Sequence, residues 1–390
     1  LKKLAIEEIS SARKLAPIGT HAAAALCGAV VLLLALWLGG TFKHPDKPPA
    51  PSPPPDPVAT PPAGYSWTAQ PEPDFALPPY ACHLKDVLIV LDPGHGGRSD
   101  RANWKRGPTG LQEAVVNLRV AQFLREFLTA VGANVVMTRD ADVYLDPDVS
   151  TDNHKRIELA NQLNADLFLS IHHNGDDGPE ANYTTVFYHG EPGDNPASCC
   201  AARHLLAGVN DALRLTQHLP CALLSDRVLY KSGLLVLREA RVPAVLVEGS
   251  FHSNPAEEER LRDPLYNRRE AYGYFLGLAR WAQAGLPGVR LLDPPPGQVC
   301  TGKSIVLMLD DGLSDRGGWG RDTLKIAADS LRVRVNGALV SCRPDLKKGT
   351  VKVPLPRKLK PGTLRLAVDF ENVFGQHVLH PDLAFEYRGG

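Results

Sequence analysis

The sequence predicts an α/β domain whose mostly parallel sheet is flanked by helices, with an N-terminal transmembrane helix before it and a C-terminal antiparallel β-sandwich after it. Three observations predict this. Between Val87 and Gly285, apolar β-branched runs alternate with segments whose apolar residues recur at helical spacing, the pattern of strands covered on both faces. Residues 22–40 carry no charge. From Leu331 onward apolar and polar residues alternate with period two between turn residues, the pattern of half-buried antiparallel strands. A chain of 390 residues is too long for one ordinary domain, and 44% hydrophobic with 22% charged is globular composition. Its 43 Lys+Arg balance 43 Asp+Glu, which removes a bulk attraction to nucleic acid, and no nucleic-acid partner is expected.

The first element is the uncharged run Ala22 to Gly40. About 20 apolar residues cross the ~30 Å hydrocarbon core, so this run is long enough to span. A cleaved signal peptide is the rival reading, but its apolar core is usually shorter and no small-x-small site follows. A buried core helix is the third, disfavoured by the Pro-rich flank. Lys2, Lys3, Arg13 and Lys14 before the run outnumber Lys43 and Lys47 just after it, which puts residues 1–17 in the cytoplasm and the chain beyond residue 40 outside. The expected location is therefore the inner (cytoplasmic) membrane, single-pass, anchored over residues 18–40. Fourteen of the 34 prolines lie between Pro45 and Pro79; they favour extended polyproline II, so 41–84 reads as a tether. An oxidising location would permit disulfides among the six cysteines outside the span; Cys300 with Cys342, both in the last domain, is the one pairing mildly preferred.

In the central domain (85–286), Val87 to Asp92, Asn134 to Arg139, Asp166 to Asn174, Thr184 to His189, Leu234 to Glu239 and Pro243 to Ser250 read as strands. Asn117 to Gly132, Lys155 to Ala165, Ala197 to Leu215 and Glu257 to Gly285 read as helices. Active sites of such sheets collect at the carboxyl ends of strands. The first strand delivers Asp92 and His95 there, a later one His172 and His173, the last Glu248, while Glu113 stands before the first long helix. Two or three histidines with two glutamates make a zinc hydrolase site: three protein ligands leave one position open, and the remaining carboxylate acts as base. The bland alternatives are a surface or hydrogen-bonded histidine, and for His172, in an apolar strand, a buried hydrogen bond.

Six motifs stand in order: LDPGHGG (91–97), GLQEAVVNLRVAQFL (110–124), VVMTRDAD (135–142), RIELAN (156–161), ADLFLSIHHN (165–174) and PAVLVEGSFHSN (243–254). Together, over roughly residues 86 to 286, they resemble the zinc-dependent N-acetylmuramoyl-L-alanine amidases of the type-3 family. The resemblance implies that family's fold, Zn2+ held by His95, Glu113 and His172, and Glu248 as the catalytic carboxylate. It also implies hydrolysis of the amide between N-acetylmuramic acid and L-alanine of peptidoglycan by a zinc-activated water, with Glu248 as general base. A non-catalytic wall-binding protein and a zinc amidase with another substrate are the alternatives.

The sequence departs from the family at His173, where a small residue is usual; the pleat turns it away from His172. His252 reads as a substrate contact or an exposed residue. Asp92, Arg139 and Arg156 read as structural charges. The segment Ser225 to Glu239 has an altered basic-glycine turn, which leaves stem-peptide contacts there open. Asn174 to Val247 is filled by core elements, leaving no room for a long autoinhibitory helix. Leu286 to Gln298 reads as a linker into the last domain (287–390), which resembles bacterial immunoglobulin-like modules; it is read as a spacer, or as the site of a wall or protein partner.

Overall fold

In the computed structural model the residues described are 74–97, 105–213, 222–314, 316 and 323–389. The transmembrane reading (18–40) and most of the Pro-rich segment lie outside them. Among the described residues no helix is long and apolar enough to cross a membrane.

The first apolar run is a strand, β1 (Leu88–Pro93), with Ile89, Val90 and Leu91 buried. It leads through the Gly-rich loop to helix α1 (Glu113–Ala130), which starts four residues before the helix read from the sequence, so that Glu113 is its first residue. Next come β2 (Asn134–Met137) and α2 (Val149–Leu163). Asp148 caps α2 by accepting from Thr151 N at 2.8 Å, which starts that helix six residues earlier than its apolar spacing suggests. Then follow β3 (Leu167–Asn174), β4 (Thr185–Tyr188), α3 (Pro196–Leu213), β5 (Ala222–Ser225), α4 (Leu235–Arg238) and β6 (Ala244–Phe251). The final helical stretch is two helices, α5 (Pro255–Arg262) and α6 (Pro264–Gln283). Asp263 both ends the first and caps the second, accepting from Leu265 N at 2.7 Å, with Pro264 in the position that needs no donor.

The sheet has the order β2-β1-β3-β6-β4-β5. Its first four strands are parallel, and β4 and β5 run opposite to β6. The mostly parallel sheet is therefore as expected, with helices on both faces. On one face α6 packs with α1 and α3. On the other, Ile157 of α2 and Val236 and Leu237 of α4 join Val90, Phe168 and Leu246 in one apolar cluster. That cluster explains a correction: Leu234 to Glu239 is not a strand. A short apolar run fits strand or helix equally, and one helical turn sets the adjacent Val236 and Leu237 onto the sheet together.

Residues 75–84, the end of the Pro-rich stretch, are packed rather than extended. Pro79–Leu84 is a 3-10 turn burying Ala81 and Leu84, the Phe75 ring lies against Phe127 and Tyr272, and Tyr272 OH donates to Ala76 O at 2.7 Å.

Beyond α6 the expected linker is instead a strand, β7 (Gly288–Asp293), paired antiparallel with β8 (Ser304–Asp310). Its flanking Pro and Gly mask it in the sequence. β9 (Arg332–Val335), β10 (Ala338–Val340), β11 (Pro344–Asp345), β12 (Thr350–Pro354), β13 (Gly362–Asp369) and β14 (Asp382–Tyr387) complete two four-stranded antiparallel sheets, β10-β9-β13-β14 and β11-β12-β8-β7. They enclose one apolar cluster that includes Leu307, Val333, Val351, Leu366 and Phe385. The Cys300–Cys342 pairing is overturned, since both are free thiols. Cys300 bridges Tyr387 on one edge strand, whereas Cys342 follows β10 at the opposite edge, three strand spacings (roughly 14 Å) away, beyond the reach of a disulfide.

Residues 75–390 form one compact unit. The β-sandwich is joined to the α/β domain by His380 Nε2 with Asp166 Oδ1 (3.3 Å), Arg316 Nε to Gln283 O (2.9 Å) and Asn372 Nδ2 to Ala284 O (2.9 Å). Asp166 lies at the amino end of β3 and also accepts from Leu88 N, at the amino end of β1. The sandwich thus meets the sheet away from the carboxyl ends of its central strands.

Candidate metal centre

The carboxyl ends of β1, β3 and β6 are adjacent because these strands are neighbours in parallel. The His172 and Glu248 Cα atoms are register partners across β3 and β6, so their side chains share a face. His95 comes from the loop after β1 and Glu113 from the first turn of α1. His95 Nε2 lies 3.0 Å from Glu113 Oε2, and His172 Nδ1 lies 3.1 Å from Glu113 Oε1. One donor atom from each of His95, Glu113 and His172 falls within 4.8 Å of the others. Zinc ~2.0–2.1 Å from each of three tetrahedral donors would set them ~3.3 Å apart, so the set fits that ion with little movement.

Two buried arginines hold the His95 loop. Arg156 donates to Asp92 Oδ1 (2.8 Å), Pro93 O (3.0 Å) and His95 O (2.7 Å). Arg139 donates to Pro93 O (2.8 Å), Gly94 O (2.9 Å) and Ala114 O (2.9 Å), which ties the loop to the start of α1. Asp92 receives Thr138 and Ser170 hydroxyls as well. Burial alone would raise the Asp92 carboxyl; Arg156 and the two hydroxyls reverse this and hold it below the usual range. The structural reading of Asp92, Arg139 and Arg156 stands. The clamp also sustains a left-handed His95 (φ +61°), a conformation costly for a residue with a Cβ.

Gly94 is required by close approach. A Cβ there would lie 2.1 Å from His172 Cε1 and 2.2 Å from its Nε2. Gly94→Ala is expected to push the His172 ring aside and weaken zinc binding by at least about tenfold, on the scale of a displaced supporting group. A chelator-competition titration beside a thermal melt checks this; unchanged affinity would contradict the packing.

Glu258 positions Glu113. Fully buried, it accepts from Thr109 N (2.8 Å) and Leu111 N (2.9 Å), and Glu113 N bonds Lys105 O at 2.9 Å, which fixes the turn that delivers Glu113. Burial would raise the Glu113 carboxyl, but His95 and His172 hold it well below the usual range, in the ionised state that metal binding would require. Glu248 behaves oppositely. Its Oε2 is buried without a hydrogen-bond partner, and burial, with the nearby Glu113 charge, pushes it up to about 7 against the pull of His172.

His173 does point away from the three donors and is buried. His252 is buried and not exposed: its Nδ1 lies 2.9 Å from His173 O. Ser225 to Glu239 lies elsewhere. Thr185 pairs with Glu248 in the antiparallel β4–β6 ladder, so β4 and β5 carry the chain away from the centre and leave this segment at the far end of the sheet. Sequence reasoning missed Asn117, Glu270, Tyr274 and Glu258; each is a polar residue on a helix, and only its three-dimensional partner marks it.

Residues 89–280 match the family model described as N-acetylmuramoyl-L-alanine amidase. The chain is 30% identical over 217 residues to "N-acetylmuramoyl-L-alanine amidase AmiA" of Salmonella typhimurium, covering 47% of this chain and 72% of that protein. The chain belongs to this amidase family. Further similarity extends to "Probable cell wall amidase LytH" of Staphylococcus epidermidis, 33% identical over 185 residues, 47% of this chain and 55% of that one. It extends also to "Germination-specific N-acetylmuramoyl-L-alanine amidase" of Bacillus subtilis, 29% identical over 211 residues, 52% of this chain and 83% of that one. The chain thus spans only about half the length of the staphylococcal relative. The amidase match covers β1 through most of α6, and so takes in His95, Glu113, His172 and Glu248.

Proposed function

We propose that this chain hydrolyses the amide between the lactyl group of N-acetylmuramic acid and L-alanine in peptidoglycan. The observation that supports it best is the convergence of His95, Glu113 and His172 beside a half-buried Glu248, within the family match. His95, Glu113 and His172 would hold zinc. Zinc bound there supplies a Lewis acid that lowers the pKa of a water towards ~7 and polarises the scissile carbonyl. Glu248, poised near neutrality and lacking a hydrogen-bond partner at Oε2, takes the proton from the attacking water and hands it to the leaving amine of L-alanine. The arginine clamp keeps His95 in its strained conformation, so the three side chains need only a small rearrangement to take up the metal.

The same reading places the enzyme outside the cytoplasm on a single-pass inner-membrane anchor. Its support is the uncharged run 22–40 followed by the Pro-rich stretch, together with relatives named as cell wall amidases. The β-sandwich, docked at the amino end of β3, would support the α/β domain from the side opposite the centre, which agrees with the spacer reading more than with a substrate-binding one. Purified chain incubated with sacculi is expected to release soluble peptide, to stop under excess chelator and to resume on adding zinc. Release that continues in chelator would contradict the metal role.

A further inference from the structure

Behind Glu113 runs a chain of buried polar side chains that neither ligates nor faces the open side. Tyr274 OH donates to Glu270 Oε1 (2.8 Å); His173 Nε2 lies 3.0 Å from Glu270 Oε2; His173 Nδ1 lies 2.8 Å from Asn117 Oδ1. Asn117 Nδ2 then donates to Glu113 Oε1 and to Gly94 O, each at 3.2 Å. His173 N also donates to Glu113 Oε1 at 3.2 Å. His173, Asn117, Glu270 and Tyr274 are all inaccessible to solvent or nearly so.

The hydrogen-bond roles along this chain follow from chemistry. If the Asn117 amide were turned over, its oxygen would face Glu113 Oε1 and Gly94 O, two acceptors, so the amide must present its nitrogen to Glu113 and its oxygen to His173. His173 Nδ1 then donates to Asn117 Oδ1, while Nε2 pairs with Glu270 Oε2.

Stability alone does not account for this arrangement. Replacing both partners of a buried hydrogen bond by apolar groups of the same shape is commonly near neutral, so the space between β3 and α6 could be filled as well by hydrocarbon. Hydrocarbon could not fix the Asn117 amide, whose N–H joins the main-chain N–H of His173 on Glu113 Oε1. With Oε1 held in this way, and His172 Nδ1 also 3.1 Å from it, Oε2 is the oxygen left towards His95.

We propose that His173, Glu270 and Asn117 are positioning residues that lock the Glu113 carboxylate so that it presents one oxygen to the metal. The inference rests on the metal reading above and deepens it. An outer shell of this kind typically contributes roughly 10- to 100-fold in metal affinity.

The test uses the full chain and measures zinc affinity by competition with a chromophoric chelator, beside a thermal melt. His173→Ala/Glu270→Leu removes the relay without leaving a buried unpaired charge; it should fold and bind zinc roughly 10- to 100-fold more weakly. Glu270→Gln, which keeps an acceptor for His173, should retain most of the affinity. A folded double variant that binds zinc as tightly as the parent overturns the proposal. Should that variant not fold, Asn117→Ala, which leaves the His173–Glu270 pair in place, decides by the same titration, and parental affinity there overturns it. A parent chain that binds no zinc fails the metal reading itself, a result distinct from a binding parent with an equal variant.

Discussion

Glu248→Gln is expected to lower kcat for peptide release by roughly 10²- to 10⁴-fold while leaving zinc affinity near the parental value. The carboxylate is the base in this account and not a ligand, so its loss removes proton transfer and spares the metal. The pH dependence follows from the same group. A base must be deprotonated, so parental kcat/KM should rise with pH along a limb at or below about 7, because burial lifts Glu248 to about 7 and a bound cation beside it draws it down. That limb should vanish from the residual rate of the variant. The sign for stability is opposite. A carboxyl whose folded pKa exceeds its unfolded value of 4.5 costs the fold nothing below 4.5, and its penalty is complete only above about 7. Chelated Glu248→Gln should therefore gain more stability over the parent at pH 8 than at pH 4. Urea melts at the two pH values check it; equal differences would contradict the buried, unpaired state of Oε2.

Arg156→Met is expected to cost about 3–5 kcal/mol of folding stability, because it takes their paired cation from the buried Asp92 and Asp152 carboxylates and removes a donor from the carbonyls of Pro93 and His95. The loss should reach function as well, since the clamp is what keeps His95 left-handed. Zinc affinity of the folded fraction should fall together with stability. Asp92 titrates below the usual range, so its contribution is present above pH 3.8 and is lost as pH falls through its lowered folded value. The gap between parent and variant should thus narrow in acid. Urea titrations at pH 7 and pH 3 measure both points, and a variant within 1 kcal/mol of the parent at pH 7 (on the order of a surface substitution) would contradict the clamp.

How much of this was legible in the sequence differs by element. The strands ending in Asp92, His172 and Glu248 could be read because each is a continuous apolar run that stops at a polar residue, and neighbouring carboxyl ends bring their residues together. Alternation across the pleat separated His172 from His173 correctly. It could not show what His173 meets, because Glu270 lies 97 residues further on, in a helix whose spacing looks ordinary. Glu258 is hidden in the same way, in a run of three glutamates of which only some face inward. Leu234 to Glu239 was misread because a four-residue apolar run has no period of its own, and only the cluster under it selects the helical turn. β7 was missed because the Pro and Gly around it are linker residues by composition, while its partner, β8, makes it a strand.

The central claim is which bond is cut. Digesting purified peptidoglycan with the zinc-loaded chain and analysing the products by mass spectrometry tests it most directly. The account predicts intact stem peptides with a free L-alanine amine, and glycan strands whose muramic acid ends in a free lactyl carboxylate. Products cut within the stem peptide or between sugars, or undigested material from a folded, zinc-loaded chain, would contradict it.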